Sequence, residues 1–184
     1  MNLKRSLNKS LYGKIHDMFA LNRELFPEHL REFVNFVNPY NFGTDAWPRL
    51  QCFGAALCFF TNSLDEYFEI ETYTKSIIEP RDEDGIGIMP FILAKCFEET
   101  IDPQHGDLVV FYWNNRHFHA GILWEKRDSD LIVCKDNVGN LPLHLKTVAE
   151  VEKDVEEEFK DLFTMRYFKY KFENKPLFDA LTTD

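Results

Sequence analysis

The chain has 184 residues, enough for one domain to bury a sizeable core without disulfides or metals. Hydrophobic residues at 45% and charged residues at 28% match ordinary globular usage, which excludes general disorder and fibrous repeats. The net charge of -10 would repel a polyanion, and no basic patch with interleaved aromatics offsets it, so no nucleic-acid partner is expected.

No apolar window is long enough to span a bilayer, and residues 1 to 26 hold no continuous apolar core of a signal peptide. The expectation is no membrane partner and a cytoplasmic protein, or one exported without a classical signal. Cys52, Cys58, Cys96 and Cys134 include no C-x-x-C pair, so neither a zinc site nor a thioredoxin-like motif is indicated, and no metal or cofactor is expected. The 18 Phe suggest a phenylalanine-rich core or a cleft with aromatic walls.

Along the chain, apolar spacing predicts two short helices between Leu11 and Val37, broken at Pro27. Turn formers from Asn38 to Pro48 lead to a helix over about Gln51 to Phe60. Residues 65 to 84 carry eight acids against Lys75 and Arg81 and read as a solvated connection outside the core. Pro90 opens a helix over Phe91 to Glu98. The period then becomes strand-like over Asp107–Trp113, Phe118–Trp124 and Leu131–Lys135, joined at Asn114-Asn115 and near Asp128-Ser129-Asp130. A fourth strand over Leu141–Leu145, an acidic amphipathic helix over Thr147–Asp161 and a closing strand over Phe163–Phe172 complete the pattern. Helices followed by an antiparallel meander define an α+β class.

The chemistry concentrates at Cys52. On its helix, Ala55, Ala56, Phe59 and Phe60 fall at i+3, i+4, i+7 and i+8, so the thiol points along the inward face. Its place in the first turn favours thiolate through the free backbone N–H groups and the positive end of the helix dipole. The competing reading is a buried structural thiol. Strand alternation places His119 on one face with Gly121 and Leu123, and the missing side chain at Gly121 leaves room for a packed helix. A strand histidine facing a thiol at a helix start is the arrangement of a Cys-His pair. Asp136, which alternation aligns with Ile132 and Cys134, would orient the imidazole, with Asn137 as competitor. His117-x-His119 would suit a metal, but no matching carboxylate or thiolate spacing accompanies it, so His117 reads as exposed and structural.

At these residues the chain resembles the papain-like cysteine hydrolases typified by NlpC/P60 and CHAP domains. The resemblance rests on Tyr40-Asn41-Phe42-Gly43 leading to Gln51-Cys52-Phe53-Gly54, on Gly106-Asp107-Leu108-Val109-Val110-Phe111, and on His119-Ala120-Gly121-Ile122 followed by Cys134-Lys135-Asp136-Asn137. It implies Cys52 as nucleophile, His119 as base, Asp136 or Asn137 as third member, and an oxyanion hole from the Cys52 N–H with Gln51 as a further donor. It also implies a papain-like fold in which the Cys-bearing helix packs on the antiparallel sheet. The Asp and Ser that flank the cysteine in many NlpC/P60 enzymes are here Gln51 and Phe53.

The resulting expectation is a helical segment at 1–37, a catalytic domain at 38–172 and a tail at 173–184. The expected activity is that of a bacterial cysteine peptidase or amidase acting on a peptidoglycan stem or another peptide. The alternatives are a deamidase or acyltransferase acting on a partner protein, and a non-catalytic interaction domain whose acidic surface binds a basic protein.

Overall fold

The computed structural model describes residues 27–30, 51–77, 88–135, 143–153, 162–172 and 174–183. Strands β1 (Phe97–Thr100), β2 (Leu108–Trp113), β3 (Arg116–Glu125), β4 (Leu131–Cys134), β5 (His144–Thr147) and β6 (Phe163–Tyr170) form one sheet. Their spatial order is β1-β6-β2-β3-β4-β5, and every neighbouring pair is antiparallel. Helices α1 (Cys52–Leu57), α2 (Leu64–Ile77), α3 (Ile88–Cys96), α4 (Val148–Lys153) and α5 (Leu177–Thr182) complete an α+β architecture. The predicted N-terminal helices, apart from a single 3-10 turn at Glu28–Leu30, lie outside the described residues, as does the loop from Asn38 to Pro48.

The sheet presents two different faces because side chains alternate along each strand. Leu108, Val110, Ala120, Ile122 and Phe168 meet α1, α2, α3 and α5 through Leu57, Ile70, Ile92 and Leu181. The opposite face carries Val109, Phe111, Leu123, Ile132 and Cys134, with Val151 of α4 packed on it. Beyond β3, Trp124, Leu131, Val133 and Leu145 close over Ala55 and Cys58. The β2–β3 connection is the expected Asn114-Asn115 turn, with φ of 48° and 61°. Left-handed values at both central residues give a two-residue turn whose twist matches that of the strands, and asparagine tolerates them.

Three expectations are corrected. The acidic run is not a loose connection over residues 64–77: it is α2, with Ile70 and Thr74 fully buried and Tyr67, Phe68 and Tyr73 packed against the core. Its start is capped by Ser63, whose hydroxyl accepts from the Glu66 N–H at 3.1 Å, while the Glu66 carboxylate accepts from the Asn62 N–H at 2.7 Å. This Ser-x-x-Glu pattern is a helix-start signal that net charge hides. Residues 78–84 lie outside the described set. Next, the helix at Pro90 spans Ile88–Cys96, so Phe97 and Glu98 leave it for edge strand β1. Finally, the stretch read as a tail folds as α5, with Leu177 and Leu181 fully buried. Burying two leucines stabilises the core by about 1.5–3 kcal/mol each, which a solvated tail would forgo.

Gly121 also serves a purpose other than the expected one. A Cβ built there would lie 2.8 Å from the Val133 carbonyl oxygen and 3.1 Å from both the Cys134 Cβ and the Ile132 Cδ1. The missing side chain admits strand β4, not a helix. Because the obstructing atom is backbone, replacing Gly121 with Ala should lower unfolding stability by about 1–3 kcal/mol. Urea unfolding measures this directly, and a variant as stable as the wild type would show that β4 can slide away from β3 at no cost.

Candidate functional site

Cys52 is the first residue of α1, and the helix's first hydrogen bond runs from the Ala55 N–H to the Gln51 carbonyl at 2.9 Å. Gln51 sits at the N-cap with extended backbone and makes no side-chain cap bond, and it is exposed. The Cys52 side chain is only 1% exposed. Its thiol points to the Phe118 carbonyl of β3 at 4.0 Å, and the Ala120 N–H also acts on the sulfur. The sulfur therefore lies against the main chain immediately before and after His119.

The two histidines of H-x-H would share a face on a regular strand, but they do not here. Phe111 pairs with His119 and the next residue, Tyr112, pairs with His117, so Phe118 is an extra residue in β3. Such a bulge re-aims the side chains beside it. Phe111 and Tyr112 lie on opposite faces of β2, so their partners do too. The His119 ring sits 5.6 Å from the Phe111 ring, on the face away from α1, and is 8% exposed. The His117 ring meets Phe53 of α1 edge-on at 4.9 Å, so it is a packed residue rather than the exposed one expected. Burial holds its imidazole below the usual range, toward the neutral form.

The electrostatic expectation for Cys52 is reversed in sign. Burial pushes the thiol up from its ordinary value, and the N–H groups of Ala120, Phe53 and Cys52, with the Lys135 cation, pull it down without prevailing. Burial dominates at the other core thiols too, raising Cys58 and taking Cys96 to about 11. The phenol of Tyr67 is raised by burial first, then by Glu71, Cys58 and Cys52.

The sequence pattern gives Lys135 no role beyond ending a strand, yet it is 1% exposed just past the end of β4. The signal for it is the alternation Leu131, Val133, Lys135, which carries the lysine onto a face whose other members are core. Asp136 and Asn137 lie outside the described residues. Gly106 and Asp107 are turn builders. Gly106 has φ of +93°, its N–H donates to the Leu123 carbonyl at 2.9 Å, and the Asp107 carboxylate accepts from the Gln104 N–H at 2.8 Å. Among the described residues, no three His, Cys, Asp or Glu side chains gather as a metal site, and no helix is long and apolar enough to cross a membrane.

No family model, curated protein or solved structure matches the chain. Chemically, the arrangement offers a buried, protonated sulfur at a helix start, set against the main chain that flanks His119 and near a buried lysine. The His119 ring itself lies on the other face of the sheet, against Phe111, and not on the α1 face where regular alternation puts it. Its alkylation should follow the thiolate population, so labelling of Cys52 by iodoacetamide, read by peptide mass spectrometry, should climb about tenfold per pH unit to pH 9 and beyond. A plateau reached below pH 8 would show a thiolate held in the resting protein and would reverse this assignment.

Proposed function

We propose that the chain is a thiol-dependent amide hydrolase of papain-like type, with Cys52 as nucleophile, His119 as general base and acid, and Asp136 or Asn137 orienting the imidazole. The observation that carries this reading is the meeting of the Cys52 sulfur with the β3 main chain on both sides of His119, at the first residue of a helix. The exposed Gln51 side chain, uncommitted to capping, supports its role as an oxyanion donor beside the Cys52 N–H. The substrate class is a peptide, with a peptidoglycan stem as the instance that the sequence resemblance favours.

The raised thiol selects the order of events. A sulfur that rests protonated must lose its proton as it attacks. The His119 ring, which rests against Phe111, has to turn toward the sulfur to take that proton while sulfur bonds to the carbonyl carbon and the carbonyl oxygen becomes an oxyanion. The C–N bond then breaks, the amine leaves with the proton from the imidazolium, and a thioester to Cys52 remains. Water gives a proton to His119 and adds to the thioester carbonyl. Sulfur leaves and recovers that proton, which releases the acid.

On a peptide substrate, Cys52→Ala should reduce turnover by at least about a thousandfold while the melting temperature stays close to wild type. His119→Ala should match that loss. His117→Ala should cost about tenfold or less, since this ring packs on Phe53. Full activity in Cys52→Ala would refute the nucleophile, and a larger loss in His117→Ala than in His119→Ala would move the base to the α1 face. Intact-mass analysis of the substrate separates the reaction classes: two fragments for hydrolysis within the chain, a gain of about one dalton for deamidation, and an added acyl mass for transfer.

A further inference from the structure

Of the lysines among the described residues, Lys135 is the one that is buried. A lysine stem is easily covered, but its ammonium is normally left in water, so carrying the whole side chain inside costs solvation that the groups around it must offset. Its position is set by the sheet. Cys134 pairs with Gly121, which brings Lys135 abreast of Ala120, two residues from the Phe118 carbonyl that the Cys52 thiol meets. Alternation places Lys135 on the face of Leu131 and Val133, and those two pack with Ala55 and Cys58 just beyond the start of α1. Lys135 thus lies on the sheet face that carries the helix Cys52 begins, and its charge reaches the sulfur.

The groups facing Cys52 can be taken element by element. From β3 come the Phe118 carbonyl, the Ala120 N–H and, on the α1 face, His117 against Phe53, while the His119 ring lies on the other face against Phe111. From α2 comes the Tyr67 phenol, which feels the sulfur's charge. From the end of β4 comes Lys135, whose charge pulls the thiol down against the effect of burial.

We propose that Lys135 is a positioning residue for the Cys52 nucleophile: its buried ammonium stabilises the sulfur as the proton passes to the base, so that attack proceeds on an anion held beside a fixed cation. This rests on the reading of Cys52 as nucleophile. The lysine forms no bond to substrate and transfers no proton, and its effect on the sulfur opposes that of burial. It answers the difficulty that the site creates for itself, namely ionising a sulfur from which water is excluded.

The test reads the sulfur directly, through the infrared S–H absorption of Cys52 isolated by difference against Cys52→Ala. In Lys135→Met, the pH at which that band disappears should rise by about one unit or more, and turnover at neutral pH should fall about tenfold. Lys135→Arg, which keeps the charge, should recover most of both. A lower melting temperature with an unchanged S–H titration would make Lys135 merely structural and overturn the proposal.

Should Lys135→Met not fold, the coupling can be read in folded protein that retains the lysine, because it must act equally in both directions. With 13C-labelled lysine assigned through Lys135→Arg, the Lys135 Cε resonance should titrate at lower pH in Cys52→Ala than in wild type, and identical titrations would overturn the proposal. Retained turnover in Cys52→Ala would instead defeat the nucleophile reading, and the S–H titration would still score the lysine separately.

Discussion

The extra residue in β3 governs the layout of the site. Without Phe118 as a bulge, His117 and His119 would project together from one face, and the strand would continue its ladder past Phe111 unbroken. With it, one imidazole turns to the α1 helix and Phe53, the other to Phe111 on the far side, and the Phe118 carbonyl meets the Cys52 thiol. The sulfur approaches through backbone rather than across a sheet face. That lets a helix packed on one side of the sheet present its first residue next to a histidine whose ring belongs to the other. Gly121 contributes from two residues away by letting β4 press close, which keeps this end of the sheet tight.

The balance of forces on the thiol explains why location and electrostatics diverge. A helix start contributes about 0.3–1 kcal/mol to a nearby charge, and α1 is only six residues long. One pKa unit corresponds to about 1.4 kcal/mol, and full burial moves ionisable groups by several units. Desolvation wins, and the same ordering holds at Cys58 and Cys96. What distinguishes Cys52 from these two is therefore company rather than ease of ionisation. Main-chain N–H groups act on its sulfur together with Lys135, whereas Cys58 has Glu66, whose charge opposes a thiolate, and Cys96 has the cations of Lys95, Lys171 and Lys175, so a nearby lysine alone does not set Cys52 apart.

How much of this was legible depended on the range of the signal. Strands β2, β3 and β4 announce themselves through alternation and β-branched or aromatic runs, and the Asn114-Asn115 turn carries its geometry in its residue types. Helix α2 hides under its charge: Asp65, Glu66, Glu69 and Glu71 dominate its composition, while Tyr67, Ile70 and Thr74 lie at helical spacing beneath them. Strand β1 is four residues long and follows α3 without a break, so no local period separates it from the helix. The bulge is a property of two strands in register, and neither strand alone reveals it. Cys52 and His119 were legible by type and order, but the face each would occupy was not.

The order of the sheet has a further effect on how the protein comes into being. Strand β6, near the end of the described chain, inserts between β1 and β2, and α5 follows to seal the helical face with Leu177 and Leu181. On the ribosome, the meander of β2, β3 and β4 can zip locally as it emerges, but β1 and β2 wait with unmet peptide groups facing an empty slot until residues 163–170 arrive. The nascent polypeptide thus exposes two sticky margins from the emergence of β2 until that of β6, and their closure is the late, long-range step on which completion of the sheet waits.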